Sequence, residues 1–320
     1  STPPTTATRE EAVIIKSPVS WVGSKAAVLP ILYALFPQSY SRYIEPFGGS
    51  GAVLLGKAKP DPFEVYNDYN SNLVNLFRCM RDRPMALIRE LGFLTLNSRE
   101  DFNVLRAFLA QEDFCDPWLS EELALTEQML PAPEADKLQA LMRERSEDHD
   151  VRRAASFLKL LRYSYSSTGD SYACQPYDIS KLFGLIRQVS ERLSNAVIEH
   201  QDFETLIRHY DRPESFFYCD PPSFMSEYVY TCGFQWEDHL RLHDVLASAQ
   251  GKWLLSYNDC PEIRALYDGY QQFSFTRPHR MSGKAGEQFP ELLVGNYDLF
   301  ERQKEEPKQL SLLDDTEGDI

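Results

Sequence analysis

The chain reads as an α/β protein: an open, largely parallel sheet with helices on both faces, interrupted by a mostly helical insertion. Three observations predict this. Two apolar, strand-like runs end abruptly in loops of chemistry-bearing residues: Tyr43-Ile44 before Glu45-Pro46-Phe47-Gly48-Gly49-Ser50-Gly51, and Phe216-Phe217-Tyr218-Cys219 before Asp220-Pro221-Pro222-Ser223. Strand and helix patterns alternate from residue 24 to 81 and again from 173 to 300, the rhythm of βαβ units. Between 84 and about 161 that rhythm stops, and the pattern is helical throughout with no clear strand.

Taken in order, residues 24–35 predict a helix, Tyr43-Ile44 a strand, and 50–57 a second helix with apolar residues at helical spacing. Phe63-Glu64-Val65-Tyr66 predicts the next strand, stopped by Asn67-Asp68, and 71–81 a third helix. The helical insertion breaks at Asp116-Pro117 and at Pro131-Ala132-Pro133, where proline removes a backbone donor and clashes with the preceding turn. A polar-aromatic loop at 162–172 leads to a helix at 179–193, strands at 196–199 and 216–219, a helix at 236–249 and a strand at 252–257. Strands at 271–275 and 292–297 complete the sheet.

In an open α/β sheet ligands bind where strands end at their carboxyl edge, so the two loops are expected to face each other across one crevice. Glycines at 48, 49 and 51 allow positive φ and leave no side chain between backbone and ligand. The spacing is neither the dinucleotide fingerprint nor the phosphate loop, because Lys57 stands too far on and no Ser or Thr follows it. Asp68, at the tip of the second strand, reads equally as a partner for ribose hydroxyls or, with Asn67, as the cap of the helix that follows. Asp220-Pro221-Pro222 fixes φ twice and withholds two donors, giving a rigid acceptor-only site suited to a substrate that donates hydrogens, such as an amino group.

Together with Trp21-Val22-Gly23-Ser24-Lys25 upstream, and Asp202-Phe203, Ser256-Tyr257-Asn258-Asp259 and Glu291-Leu292-Leu293-Val294-Gly295-Asn296-Tyr297 downstream, these loops resemble the Dam-type family of adenine-specific DNA methyltransferases. The order of segments is the family's order, and the resemblance spans about residues 18–300. It implies a Rossmann-like methyltransferase sheet with helices on both faces and an inserted, mostly helical DNA-binding domain. The catalytic domain would occupy 1–83 and 173–300, the insertion 84–172, and an acidic, disordered tail 301–320.

The resemblance implies S-adenosylmethionine as cofactor. Trp21, Gly23 and Lys25 would lie beside its methionine end, Glu45, Pro46, Phe47, Gly49 and Ser50 in the loop beneath it, Asp68 on its ribose, and Asp202 and Phe203 at its adenine. Asp220, Pro221, Pro222 and Ser223 would form the catalytic loop, with Asp220 also against the cofactor, and in it the carboxylate and the first proline carbonyl would accept hydrogens from the adenine amino group. No metal is expected. The target adenine must leave the duplex stack, and the family usually stacks an aromatic at the fourth loop position on it. This chain has Ser223 there, which leaves Phe224, Tyr228 or Tyr230 as candidate rings and a methyltransferase-like DNA-binding or regulatory protein with weak turnover as the alternative function.

The net charge of −15 opposes phosphate binding, but it is unevenly spread. Twelve acidic residues stand against three basic ones between 112 and 150, and seven against three after 300, leaving about −2 on the rest. DNA contacts are expected from Arg152, Arg153, Lys159 and Arg162 on one side, from Tyr163 and Tyr165 in the polar-aromatic loop, and from Arg277, His279, Arg280 and Lys284 near the end. Six scattered cysteines without a Cys-x-x-Cys pair and six histidines without ligand spacing predict free thiols and no structural zinc. With 43% apolar residues, no long uncharged apolar run and no signal-peptide pattern, a soluble cytoplasmic protein of bacterial or phage origin is expected. In the tail, Gln309-Leu310-Ser311-Leu312-Leu313 resembles the short peptides by which bacterial DNA enzymes dock on the replication sliding clamp.

Overall fold

The computed structural model describes residues 14–304 except 22, 93–97, 111–116, 165–172, 174–176, 225–232 and 279–287. Its centre is a seven-stranded sheet of β1 (Arg42–Glu45), β2 (Phe63–Asn67), β3 (Val197–Glu199), β4 (Ser215–Cys219), β5 (Lys252–Asn258), β6 (Gln271–Pro278) and β7 (Gln288–Gly295). The order is β3-β2-β1-β4-β5-β7-β6. The first five strands run parallel and β7 is antiparallel to both neighbours. The chain leaves β1 toward β2 on one side and returns to β4 on the other, so the topological switch point lies between β1 and β4.

Burial on both faces explains the composition of the central strands. All five residues of β4 are buried. Successive side chains alternate faces: Tyr43, Tyr66, Phe216 and Tyr218 join one core, while Ile44, Val65, Phe217 and Cys219 join the other.

The first core is covered by α1 (Leu29–Ala34), α2 (Ala52–Gly56), α3 (Ser71–Asp82), α4 (Pro84–Gly92), with α5 (Arg99–Leu109) beyond it. An αα-hairpin follows, α6 (Pro117–Met129) and α7 (Glu134–Asp148), and then α8 (Val151–Tyr163) and α9 (Lys181–Arg192) return to the same face. The second core is covered by α10 (Phe203–Tyr210), α11 (Trp236–Ala247) and α12 (Pro261–Leu266), and α13 (Glu301–Lys304) closes the described chain.

The expected helix at 24–35 is a 3-10 turn over Lys25–Ala27 followed by α1, because Pro30 in the first turn sets where an α-helix starts. α10 and α12 are additional to the sequence reading, as is the extension of the last two strands to 278 and back to 288. The 84–161 segment is helical as expected, yet its last helix is not set apart from the sheet. Ala154, Ala155, Phe157, Leu158 and Leu161 of α8 belong to the first core. Asn75 of α3 clips it there, donating to the Asp150 carbonyl and accepting the Asp150 N–H, both at 2.9 Å, while the Asp150 carboxylate caps α8 at Arg153.

Candidate active site

Because β1 to β5 are parallel, the loops that follow them open on one edge of the sheet, with the loops after β1 and β4 flanking the switch point. The loop after β1 is pinned by backbone rather than by bulk. Gly48 N–H donates to the Asn67 carbonyl at 2.7 Å, Gly51 N–H to the Gly48 carbonyl at 2.8 Å, and the Tyr66 hydroxyl to the Gly49 carbonyl at 2.8 Å. A Cβ on Gly48 would lie 2.2 Å from the Tyr66 ring, so only glycine fits there. Gly49 is left-handed at φ +50°, and its open side faces the Trp21 ring, 3.1 Å from where a Cβ would stand.

Asp68 fastens this loop from the next strand. One carboxylate oxygen accepts Gly49 N–H at 2.9 Å and the other accepts Asn70 N–H at 2.7 Å. The cap of α3 is Asn70, whose side chain accepts from the backbone N–H groups of Asn72 and Leu73, so neither Asn67 nor Asp68 is the N-cap. Burial raises the Asp68 pKa, and the backbone bonds from Asn70 and Gly49 oppose that shift. Asn67 is buried and cross-braces the edge, donating to the carbonyls of Pro46 and Gln201 and accepting Gln201 N–H.

Across the switch point, the Asp220 carboxylate meets the Lys25 ammonium at 2.8 Å. Lys25 also donates to the Gly23 carbonyl at 3.3 Å and stands 4.0 Å from Glu291 of β7. Glu45, at the end of β1, is buried, and burial pushes its pKa up to about 8 against the opposing pull of Lys57 and the Tyr43 hydroxyl; Asp220 and Glu64 push it further up. The Asn258 side-chain oxygen, at the end of β5, is buried without a hydrogen-bond partner among the described residues.

The part of the edge beside α10 is aromatic. Phe47 and Phe203 lie 5.4 Å apart by ring centroids and both meet Phe234, at 5.9 and 5.6 Å. Asp202 caps α10 by accepting Glu204 N–H and is paired with Arg241 at 2.8 Å. The Arg241 guanidinium sits 4.9 Å over the Phe203 ring. The sequence reading missed Arg241 and took Asn67 for a strand stop or helix cap rather than a brace; both act through partners distant in the chain, a signal that spacing along one helix or strand does not carry.

The structure brings Lys25, Glu45, Asp68 and Asp220 to one edge, and among the described residues several of the expected DNA contacts are engaged elsewhere. Arg152 is exposed on α8. Lys159 is buried, and burial pulls its pKa down to about 8, so it packs inside rather than facing phosphate. Tyr163 is also buried, its hydroxyl donated to the Tyr177 carbonyl at 2.8 Å. Arg153 is engaged by Asn72 and Ser71 at the start of α3, and Arg162 by the Pro18 carbonyl. Arg277 belongs to β6 opposite Phe289, while Tyr165, His279, Arg280, Lys284 and the 309–313 peptide lie outside the described residues. Of the rings proposed to replace the one missing at Ser223, Phe224 packs edge-on against Trp236 at 5.2 Å and His239 at 5.7 Å; Tyr228 and Tyr230 are outside the described residues. Among the described residues no group of three metal-ligating side chains converges, and no helix is long and apolar enough to cross a membrane.

Residues 21–282 match the sequence model of the family described as D12 class N6 adenine-specific DNA methyltransferase. The chain is 27% identical over 300 residues to the Type II methyltransferase M1.LlaDCHI of Lactococcus lactis subsp. cremoris, covering 87% of this chain and 94% of that protein. It is 25% identical over 322 residues to the Type II methyltransferase M.MjaIII of Methanocaldococcus jannaschii, covering 88% and 99%.

Proposed function

We propose that this chain, which belongs to the D12 class of N6 adenine-specific DNA methyltransferases, binds S-adenosylmethionine on its Gly-rich loop and presents an adenine amino group to it at Asp220. It is an enzyme that methylates adenine in DNA. The residues at the edge suit the cofactor: Gly49 lets the Trp21 ring close on the loop backbone, Asp68 and Glu45 offer oxygen acceptors, and the Phe47, Phe203 and Phe234 rings offer an apolar wall. When bound, S-adenosylmethionine supplies an electrophilic methyl on a sulfonium.

One observation carries the reading. The Lys25 ammonium already rests on the Asp220 carboxylate, so an N–H donor of the right kind fits that acceptor. The adenine amino group would take its place, donating one hydrogen to Asp220 and one to the Pro221 carbonyl, which has no competing N–H of its own. Both acceptors strengthen as positive charge builds on the nitrogen, and the rigid Pro-Pro turn aims the lone pair. Reaching the base requires its extrusion from duplex DNA, with Arg152, Tyr165, Arg277, Arg280 and Lys284 as proposed DNA contacts. The Type II names of the relatives suggest a role in restriction-modification.

The test is direct. Incubation with methyl-labelled cofactor and duplex DNA, followed by digestion to nucleosides, should yield label in N6-methyladenine alone. Label in cytosine, or none in adenine, would sink the assignment. For the tail, a peptide of 309–313 should compete for the sliding clamp, and Gln309→Ala with Leu312→Ala should abolish clamp binding by the full chain; unchanged binding removes that partner.

A further inference from the structure

The described residues of 17–25 carry little regular structure beyond the 3-10 turn that begins at Lys25, so side-chain clips decide where they lie. The clips come from three places. Arg162, on α8, donates from its guanidinium to the Pro18 carbonyl and lies 5.4 Å over the Tyr177 ring. Ser17 donates its hydroxyl to the Ser50 carbonyl, and the Ser24 hydroxyl meets that of Ser50 at 3.0 Å. Trp21 lies edge-on to Phe157 of α8 at 6.3 Å, and the edge of its ring stands against Gly49. Lys25 then continues the same segment to Asp220. A strap of nine residues thus joins the helical insertion to the Gly-rich loop and the catalytic loop.

An arginine that reads phosphate must present its donors to solvent, whereas the Arg162 guanidinium is partly buried and turned onto a backbone carbonyl, a charge-assisted bond. We propose that Arg162 is a positioning residue for the cofactor loop: by holding Pro18 it keeps the strap seated on Gly49 and Ser50, so that cofactor binding, not DNA binding, depends on it. This rests on reading the Gly-rich loop as the S-adenosylmethionine site. It also gives the insertion a physical handle on the cofactor, because the same helix that carries exposed Arg152 carries the clip.

The experiment measures two quantities on the full chain: S-adenosylmethionine affinity by calorimetry, and the slope of log K for duplex DNA against log salt, without cofactor. Arg162→Ala should weaken cofactor binding about tenfold and leave the salt slope unchanged. Arg162→Lys should recover most of the loss, since one ammonium donor still reaches a carbonyl. Ser17→Ala, which leaves α8 intact, should weaken cofactor binding in the same direction, and the double variant should lose little more than Arg162→Ala alone, because both act through one strap. Unchanged cofactor affinity with a slope lowered by about one would make Arg162 a phosphate contact and overturn the proposal. Additive losses would overturn it too. Asp68→Asn separates the two readings: if it weakens cofactor binding and Arg162→Ala does not, only the strap fails. If neither does, the Gly-rich loop is not the cofactor site.

Discussion

Two buried glutamates on neighbouring strands are treated in opposite ways. Glu45 and Glu64 are 2% and 3% exposed, on β1 and β2. Glu64 faces Arg192, which reaches it with both terminal nitrogens, and Lys57 at 2.7 Å; these partners overcome the burial penalty and hold its pKa below the ordinary range. Glu45, at the carboxyl edge, has a tyrosine hydroxyl at 3.3 Å and only the more distant pull of Lys57, and its pKa rises to about 8. The far end neutralises Glu64 with internal cations, whereas Glu45 at the ligand edge has no ion pair among the described residues. A carboxyl group without a cation of its own would suit the proposed sulfonium and amino donor.

The largest effect expected from breaking this contrast is at the ligand edge. Asp220→Ala should lower methyl transfer by about 10³-fold or more, since it removes an acceptor that works hardest in the transition state. Cofactor affinity should fall far less than turnover, and stability should drop by about 1–3 kcal/mol because the buried Lys25 ammonium loses its partner. Single-turnover methylation with saturating cofactor, alongside urea unfolding, checks both halves; a variant that merely unfolded would not support the assignment.

At the other end the consequences reverse. Arg192→Ala strips Glu64 of its bidentate partner and removes a donor from the Leu54 carbonyl, at a cost of about 3–5 kcal/mol of stability. Turnover per folded molecule should hardly change. Urea midpoints with active-site titration measure this, and a large fall in turnover by the folded fraction would break the division between the two ends.

How far the sequence carried follows the same divide. The proposed ligand edge could be read because its residues sit in short contiguous loops at strand ends, where Asp-Pro-Pro fixes the backbone and Gly-Gly-Ser-Gly opens it to positive φ. The fold class followed from alternating apolar runs. The Glu64–Arg192 pair joins residues 128 apart, and Arg241 reaches Asp202 from 39 residues away, so no local pattern announces them. Basic residues on α8 read as a DNA face because charge alone marks them; whether a long side chain turns outward or, like Lys159, inward depends on what packs over it. Phe224 likewise read as a free ring, and it became a packing residue because Trp236 and His239 of α11 stand behind it.

A smaller effect sharpens the ligand edge. Ser223 cannot stack on an extruded base and Phe224 faces inward, so capture of the adenine lacks a ring among the described residues of this loop. Ser223→Tyr should raise kcat/KM for DNA about tenfold, from stacking worth about 1–3 kcal/mol, with cofactor affinity unchanged. Binding of DNA carrying an abasic site in place of the target adenine separates the cases: if the gain appears equally with no base to stack on, stacking is not its cause.

The finest test is the pH dependence of stability. The folded pKa of Glu45 lies near 8, above its ordinary value of about 4.3, so folding favours its protonated form. Its contribution is fully present below about pH 4.3 and is lost as pH rises toward 8. Glu64 has the opposite sign: its folded pKa is lowered, so its contribution is present above the ordinary value and is lost as pH falls through the folded one. Glu45→Gln, which stays neutral, should therefore flatten the decline between pH 5 and 8, with its advantage over wild type largest near pH 8. Glu64→Gln should instead be least stable relative to wild type at neutral pH, and the gap should close in acid. Urea midpoints across pH 4–8.5 measure both, and parallel curves for wild type and Glu45→Gln would mean that Glu45 is ionised in the fold. The ligand edge would then carry a full negative charge before any cofactor arrives, and its difference from the Glu64 end would be one of partners rather than of protonation.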